Sequence, residues 1–202
     1  MDAPTDETLL QEFLSGTKAS YELLVRRYSS ELFRFAFRLT GSSATAEDVV
    51  QDSFLQVFLS AAEFDSSRRF KPWLFTIAGN KARDFLRKRE RRREVPVDSL
   101  IRDEEDSGRR YLDILTKIGV QPPDDFAVEE KRRLVREVMA DMPVNLKEII
   151  VLAYYHHFSY REIAAMIGVP IGTVKSRLHW AVAEFGQRYM SAAATRARDP
   201  GS

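Results

Sequence analysis

His156 and His157 invite a metal reading, but adjacent side chains diverge on a helix and no third ligand stands at a sensible spacing. No carboxylate cluster, phosphate-binding loop or histidine-centred constellation occurs elsewhere, so no catalytic residue, metal or cofactor is expected. A nucleic-acid-processing enzyme is therefore the weakest reading. The spacings that do stand out suit recognition. Phe64 and Phe70 are set among Arg68, Arg69 and Lys71 in the stretch AAEFDSSRRFKP, and single-stranded nucleic acid needs both rings on which bases stack and cations that meet phosphates. The alternative is that Phe70 anchors this loop to the core. Thr76, Asn80, Arg83 and Arg87 then recur at i, i+4, i+7 and i+11, a hydrogen-bonding and basic stripe that runs into Lys88, Arg89, Arg91, Arg92 and Arg93. Cations also suit a helix C-terminus, which does not account for so many.

A second recognition surface lies between Phe158 and Gln187. Ser159 with Glu162 has the form of a capping box, and Tyr160, Ile163, Ala164 and Ile167 keep the spacing of one buried helical face. Gly168 stops that helix, Pro170 and Gly172 confine a turn, and Val174, Leu178, Ala181 and Phe185 mark the inner side of the next. The opposite side carries Gly172, Ser176 and His179, flanked by Thr173, Lys175 and Trp180. This is a helix-turn-helix layout with a small, polar, basic face suited to a major groove. The bland alternative is a helical hairpin with a solvated outer side.

A third surface is of another kind. From about Thr45, with Asp48 in capping-box position, a helix is predicted whose buried stripe is Val50, Phe54, Val57, Phe58 and Ala61. Asp48, Asp52, Leu55, Gln56 and Leu59 then project outwards. Acids beside large exposed apolar residues fit a protein-binding surface, or equally a helix packed within its own domain.

The elements that must position these residues are all helical. Thr8 to Ser15 reads as a short first helix, and Tyr21, Leu24, Val25, Tyr28, Leu32, Phe35, Ala36 and Leu39 as the core side of a long second one ending at Gly41. Pro72 is expected to start the helix of the basic stripe, with Phe70, Trp73, Leu74, Ile77 and Phe85 inward. Beyond it, Leu134, Val135, Val138 and Met139 form a stripe ended by Pro143. Asn145 with Glu148 suggests a further cap, with Leu146, Ile149, Ile150 and Ala153 inward. The fold class is therefore all-α, two small helical domains joined by an acidic linker. The boundaries expected are 1–93, a linker 94–126, a helix-turn-helix domain 127–190 and a flexible tail 191–202.

Charge supports that division. The 202 residues carry a net charge of only +1, but Arg68 to Arg93 holds eleven Lys or Arg against two acids, and Glu94 to Glu130 eleven acids against four bases. One surface thus faces polyanion while the linker avoids it. Within the linker, Tyr111, Leu112, Ile114, Leu115 and Ile118 form a short apolar patch. No apolar run approaches a membrane span, the N-terminus lacks the pattern of a signal peptide, and there is no cysteine, so a cytoplasmic location is expected.

Taken together, AEDVVQDSFLQVF, FKPWLFTIAGNKARDFLRKRERR and MPVNLKEIIVLAYYHHFSYREIAAMIGVPIGTVKSRLHWA resemble the bacterial sigma factors of the extracytoplasmic-function (ECF) group. The resemblance implies that Asp48, Gln51, Asp52 and Leu55 bind the clamp helices of RNA polymerase core enzyme. It also implies that the loop from Phe64 to Lys71 holds a base flipped from the minus-10 element, and that the stripe through Asn80, Arg83 and Arg87 recognises and helps melt that element. Gly172, Thr173, Lys175, Ser176 and His179, with Arg177 and Trp180 beside them, match the recognition helix for the minus-35 element. The linker resembles the segment that occupies the channels leading RNA out of the polymerase, and control by an anti-sigma factor is expected. Trp180 stands where the family commonly has Arg, and Val182 near a further basic position, so two phosphate contacts are expected to be missing. A free-standing helix-turn-helix regulator is the alternative.

Overall fold

A computed structural model describes residues 3–94 and 126–198, and all of their regular structure is helical. The linker expected over 94–126, with its apolar patch Tyr111 to Ile118, lies outside the described residues apart from Glu94 and Phe126. Two units carry the helices, the first those within residues 6–94 and the second most of those within residues 126–198. No described helix is long and apolar enough to cross a membrane.

In the first unit, α1 (Asp6–Leu14) opens on Thr5, whose hydroxyl accepts from the Thr8 N–H at 3.2 Å, and Asp6 and Glu7 suit the positive end of the helix dipole. The long α2 (Lys18–Thr40) stops at Gly41, whose φ of 70° is open to glycine at little steric cost. Ser42 follows in extended conformation and caps α3 (Ser43–Ser60) by accepting from the Thr45 N–H at 3.3 Å. The cap expected at Thr45 is thus three residues early: Gly41 has already turned the chain, and Ser42 is the first acceptor after it. A 3-10 turn (Ala61–Glu63) and a loop lead to α4 (Phe70–Glu94), which starts two residues before Pro72. Proline in the first helical turn gives up an N–H that has no intrahelical partner there.

The core of this unit is Leu9, Leu10, Leu24, Leu32, Phe35, Leu39, Val49, Val57, Phe70, Leu74 and Phe75. Each contributes about 1.5–3 kcal/mol on leaving water. The inward side of α4 is Phe70, Leu74, Phe75, Ala78, Ala82 and Leu86, rotated from the expected stripe, so that Trp73, Ile77 and Phe85 are only half-buried.

The second unit begins with α5 (Phe126–Ala140) and α6 (Val144–Ile150), the latter widening into a π turn (Val151–Tyr155). Pro143 caps α6, so Asn145 lies inside the helix and not at its cap. Then come α7 (Tyr160–Ile167) and α8 (Ile171–Arg198), whose 28 residues span about 42 Å. The tail expected to be flexible after Ser191 is helix as far as Arg198: Arg196 pairs with Glu137 at 2.6 Å, and Arg188 Nη1 donates to the Asp141 carbonyl at 3.1 Å.

Candidate nucleic-acid and protein interfaces

On α3 the helical period turns Ala46, Val49, Ser53, Phe54 and Val57 inward. Buried Ser53 satisfies its hydroxyl on the Val49 carbonyl at 2.5 Å. That rotation leaves Asp48 and Gln51 exposed and Asp52 half-buried, with Leu55 57% and Leu59 67% exposed. Phe58, expected in the buried stripe, is 52% exposed and leans on Phe13 and Tyr21, with ring centroids 5.3 and 5.7 Å away. Two adjacent apolar rows on α3 compete for the core, and the row through Val49 wins. What remains outside is an acidic row bordered by leucine.

The loop after α3 is organised by Asp65. Its carboxylate accepts from the Ser67 N–H at 3.0 Å and the Ser67 hydroxyl at 2.7 Å, and its carbonyl accepts from the Arg68 N–H at 2.9 Å. These bonds to Ser67, with a smaller contribution from the Arg68 charge, hold the carboxyl below its ordinary range. Phe64 is half-buried, its ring 4.8 Å from Trp73 and edge-on to Phe70 at 6.3 Å. Phe70 itself is fully buried against Phe64, Trp73 and Tyr28, so it anchors the loop and presents no face for a base. Its proposed place among the minus-10 contacts is corrected accordingly: as the first residue of α4 it points into the core. Arg68 and Arg69 are exposed, whereas Lys71 pairs with Glu31 at 2.7 Å.

Along α4, Thr76 donates to the Pro72 carbonyl at 2.8 Å, Arg83 donates to Asn80 Oδ1, and Arg87 pairs with Asp84. Asn80 and Arg87 are exposed, and Thr76 and Arg83 half-buried. Where the end of α3 meets α4, an open hollow of about 400 Å³ is lined by Gln56, Ser60, Glu63, Trp73, Ile77, Asn80 and Lys81. Sequence reasoning did not assemble this hollow. The signal was there in the i, i+4 pair Gln56 and Ser60 and the i, i+4, i+8 set Trp73, Ile77 and Lys81, but only the packing of α3 on α4 brings the two together.

In the second unit the Ser159 box forms as its spacing predicts: the Ser159 N–H donates to Glu162 Oε2 at 2.8 Å, and the Glu162 N–H donates back to the Ser159 hydroxyl at 3.3 Å. Ile163 and Met166 are buried on α7, while Tyr160 is 42% exposed at the first turn. Gly168 (φ 69°) reverses the chain, and the Pro170 carbonyl accepts from the N–H groups of Thr173 and Val174. Val174, Leu178 and Ala181 seat α8. Gly172, Lys175, Ser176 and His179 are exposed, Thr173 and Arg177 half-exposed, and Trp180 stands 71% exposed on the same outer side.

Two known families match parts of this chain. The sigma-70 region 2 family matches residues 24–92, and the sigma-70 region 4 family residues 132–184. The ECF RNA polymerase sigma-E factor of Haemophilus influenzae is 32% identical over 176 residues, covering 86% of this chain and 89% of that protein. The ECF sigma factor SigW of Bacillus subtilis is 27% identical over 84% of this chain and 89% of its own length. Among solved structures, the sigma factor RpoE of Bartonella quintana in complex with the anti-sigma factor NepR superposes with a TM-score of 0.59 at 26% identity, over 82% of this chain and 92% of that one. CnrH, solved with the cytosolic domain of CnrY, shares the fold with a TM-score of 0.63 at 24% identity, over 90% of this chain and 95% of that one.

Proposed function

The chain belongs to the ECF group of RNA polymerase sigma factors, and on that premise we propose how its residues divide the work at a promoter. It directs the core enzyme to specific promoters and helps melt the minus-10 element. Asp48, Gln51, Asp52 and Leu55 meet the polymerase, with Leu59 extending the same row. Phe64, Arg68 and Arg69 receive a minus-10 base, and the hollow beside Trp73 and Asn80 gives it room. Arg83 and Arg87 follow the strand's phosphates. Gly172, Thr173, Lys175, Ser176, Arg177, His179 and Trp180 face the minus-35 duplex. The domain expected over 1–93 acts as region 2 and the one expected over 127–190 as region 4. The linker between them takes the RNA channel.

The physical chemistry is coherent. Extruding a base costs a few kcal/mol, and stacking on an aromatic ring returns about 1–3 kcal/mol per base, so one preformed ring with two cations offsets much of one extrusion without ATP. A good major-groove pairing contributes about 1–3 kcal/mol of discrimination, which positions the complex before opening. Chemistry stays with the polymerase, and the protein works where the polymerase does, in the bacterial cytoplasm. Like the Bartonella relative solved with NepR, this chain is expected to take an anti-sigma partner.

The observation that carries this reading is that the acid and leucine row on α3 shares one unit with a hollow between α3 and α4, one of whose lining residues, Trp73, packs on Phe64. A free-standing regulator would leave that row unexplained. Purified protein added to core polymerase is expected to give promoter-dependent transcription; absence of core binding, with tight duplex binding by the protein alone, would favour the regulator.

A further inference from the structure

The first N–H of helix α4 is bonded by a residue from another helix. Arg69 precedes α4, and a guanidinium has no acceptor for the N–H groups that a helix leaves unbonded at its start. The acceptor comes from far upstream: Glu7, 63 residues away on α1, receives the Phe70 N–H on Oε1 at 2.8 Å. A carboxylate there gains from both its charge and the helix dipole.

Helix α1 is itself firmly seated. Leu9 and Leu10 are buried, Asp6 accepts from Arg27 and Tyr28, and Glu12 accepts from the Ser20 hydroxyl. It also packs against the 3-10 turn at Ala61–Glu63. The loop 64–69 leaves that turn and ends at Phe70, so both of its ends are referenced to α1. Residues 6–14 lie upstream of the span matched by region 2.

We propose that Glu7 is a positioning residue for strand opening: by holding the start of α4 it fixes the loop that sets Phe64 beside the hollow. This rests on the reading of Phe64 to Arg87 as the strand-opening surface. Polymerase binding, through α3, does not depend on it.

The test uses the full chain with core polymerase at a promoter mapped by sequencing RNA 5′ ends, as intact duplex and as the same template premelted across minus-10. Permanganate reactivity of unpaired thymines reads opening. Glu7→Ala is expected to keep its core affinity, lose about fivefold to tenfold in opening of duplex, as befits a lost cap, and recover fully on the premelted template. Glu7→Gln, whose amide oxygen still accepts, retains most of the opening. Opening of duplex by Glu7→Ala at the parent rate would overturn the proposal. So would an equal loss on both templates or a loss of core affinity, either of which makes Glu7 a residue of the fold alone. If the parent binds core yet Phe64→Ala opens the promoter as well as it does, the surface assignment itself fails.

Discussion

Replacing Leu55 and Leu59 together by alanine probes the row proposed to meet the polymerase at its two exposed leucines. Leu55 is 57% and Leu59 67% exposed, so more than half of each side chain remains for a partner to cover. Full burial of a leucine is worth about 2 kcal/mol, and the uncovered share of each therefore about 1 kcal/mol. The pair amounts to about 2 kcal/mol, or roughly a 30-fold loss in core affinity. Because the same atoms already face water in the free protein, the folding free energy should change by no more than about 0.5 kcal/mol, as for surface substitutions generally. Fluorescence anisotropy of the labelled protein titrated with core enzyme measures the first number and urea unfolding the second. A double variant that binds core as tightly as the parent would refute the reasoning, and one that unfolds more easily would show that the leucines pack within the unit instead.

Other outcomes follow from the same geometry. Phe70→Ala should destabilise the first unit by about 3–5 kcal/mol in urea unfolding, whereas Phe64→Ala, which removes a half-buried ring, should cost only about 1–2 kcal/mol and slow permanganate-detected opening. Trp180→Arg adds a cation to the outer side of α8, so the slope of log K against log salt for minus-35 duplex binding by the holoenzyme should steepen by about 0.9; an unchanged slope would place residue 180 off the phosphates. Burial pushes the Tyr21 hydroxyl from 10.0 up to about 12, and its hydrogen bond to the Phe54 carbonyl requires the proton. A group raised on folding contributes stability below its ordinary value and loses it as pH climbs, so the urea midpoint should fall between about pH 10 and 12, and less steeply in Tyr21→Phe.

Much of this was legible in the chain, and the limits have physical causes. The Ser159 and Glu162 box is a local pair, and spacing alone placed it. The outward leucines of α3 followed from helical period, but Phe58 did not, because two neighbouring apolar rows on one helix satisfy the period equally and only packing chooses between them. Phe70 was open between anchor and base platform for the same reason: a ring beside cations has two uses, and burial decides. The hollow and the Glu7 cap join residues from separate helices, and no window of sequence contains both partners. The last turns of α8 lack an apolar stripe, which made SAAATRAR read as tail. Alanine-rich helix propensity and the Arg196 pair with Glu137 hold them.

Sequencing the 5′ ends of RNA made after overexpression tests the central claim most directly. New start sites should appear, and their upstream DNA should align on two elements at a fixed spacing near minus-10 and minus-35, both lost with Asp52→Arg. Unchanged start sites, or a single shared element bound without polymerase, would contradict a sigma factor and leave a free-standing regulator.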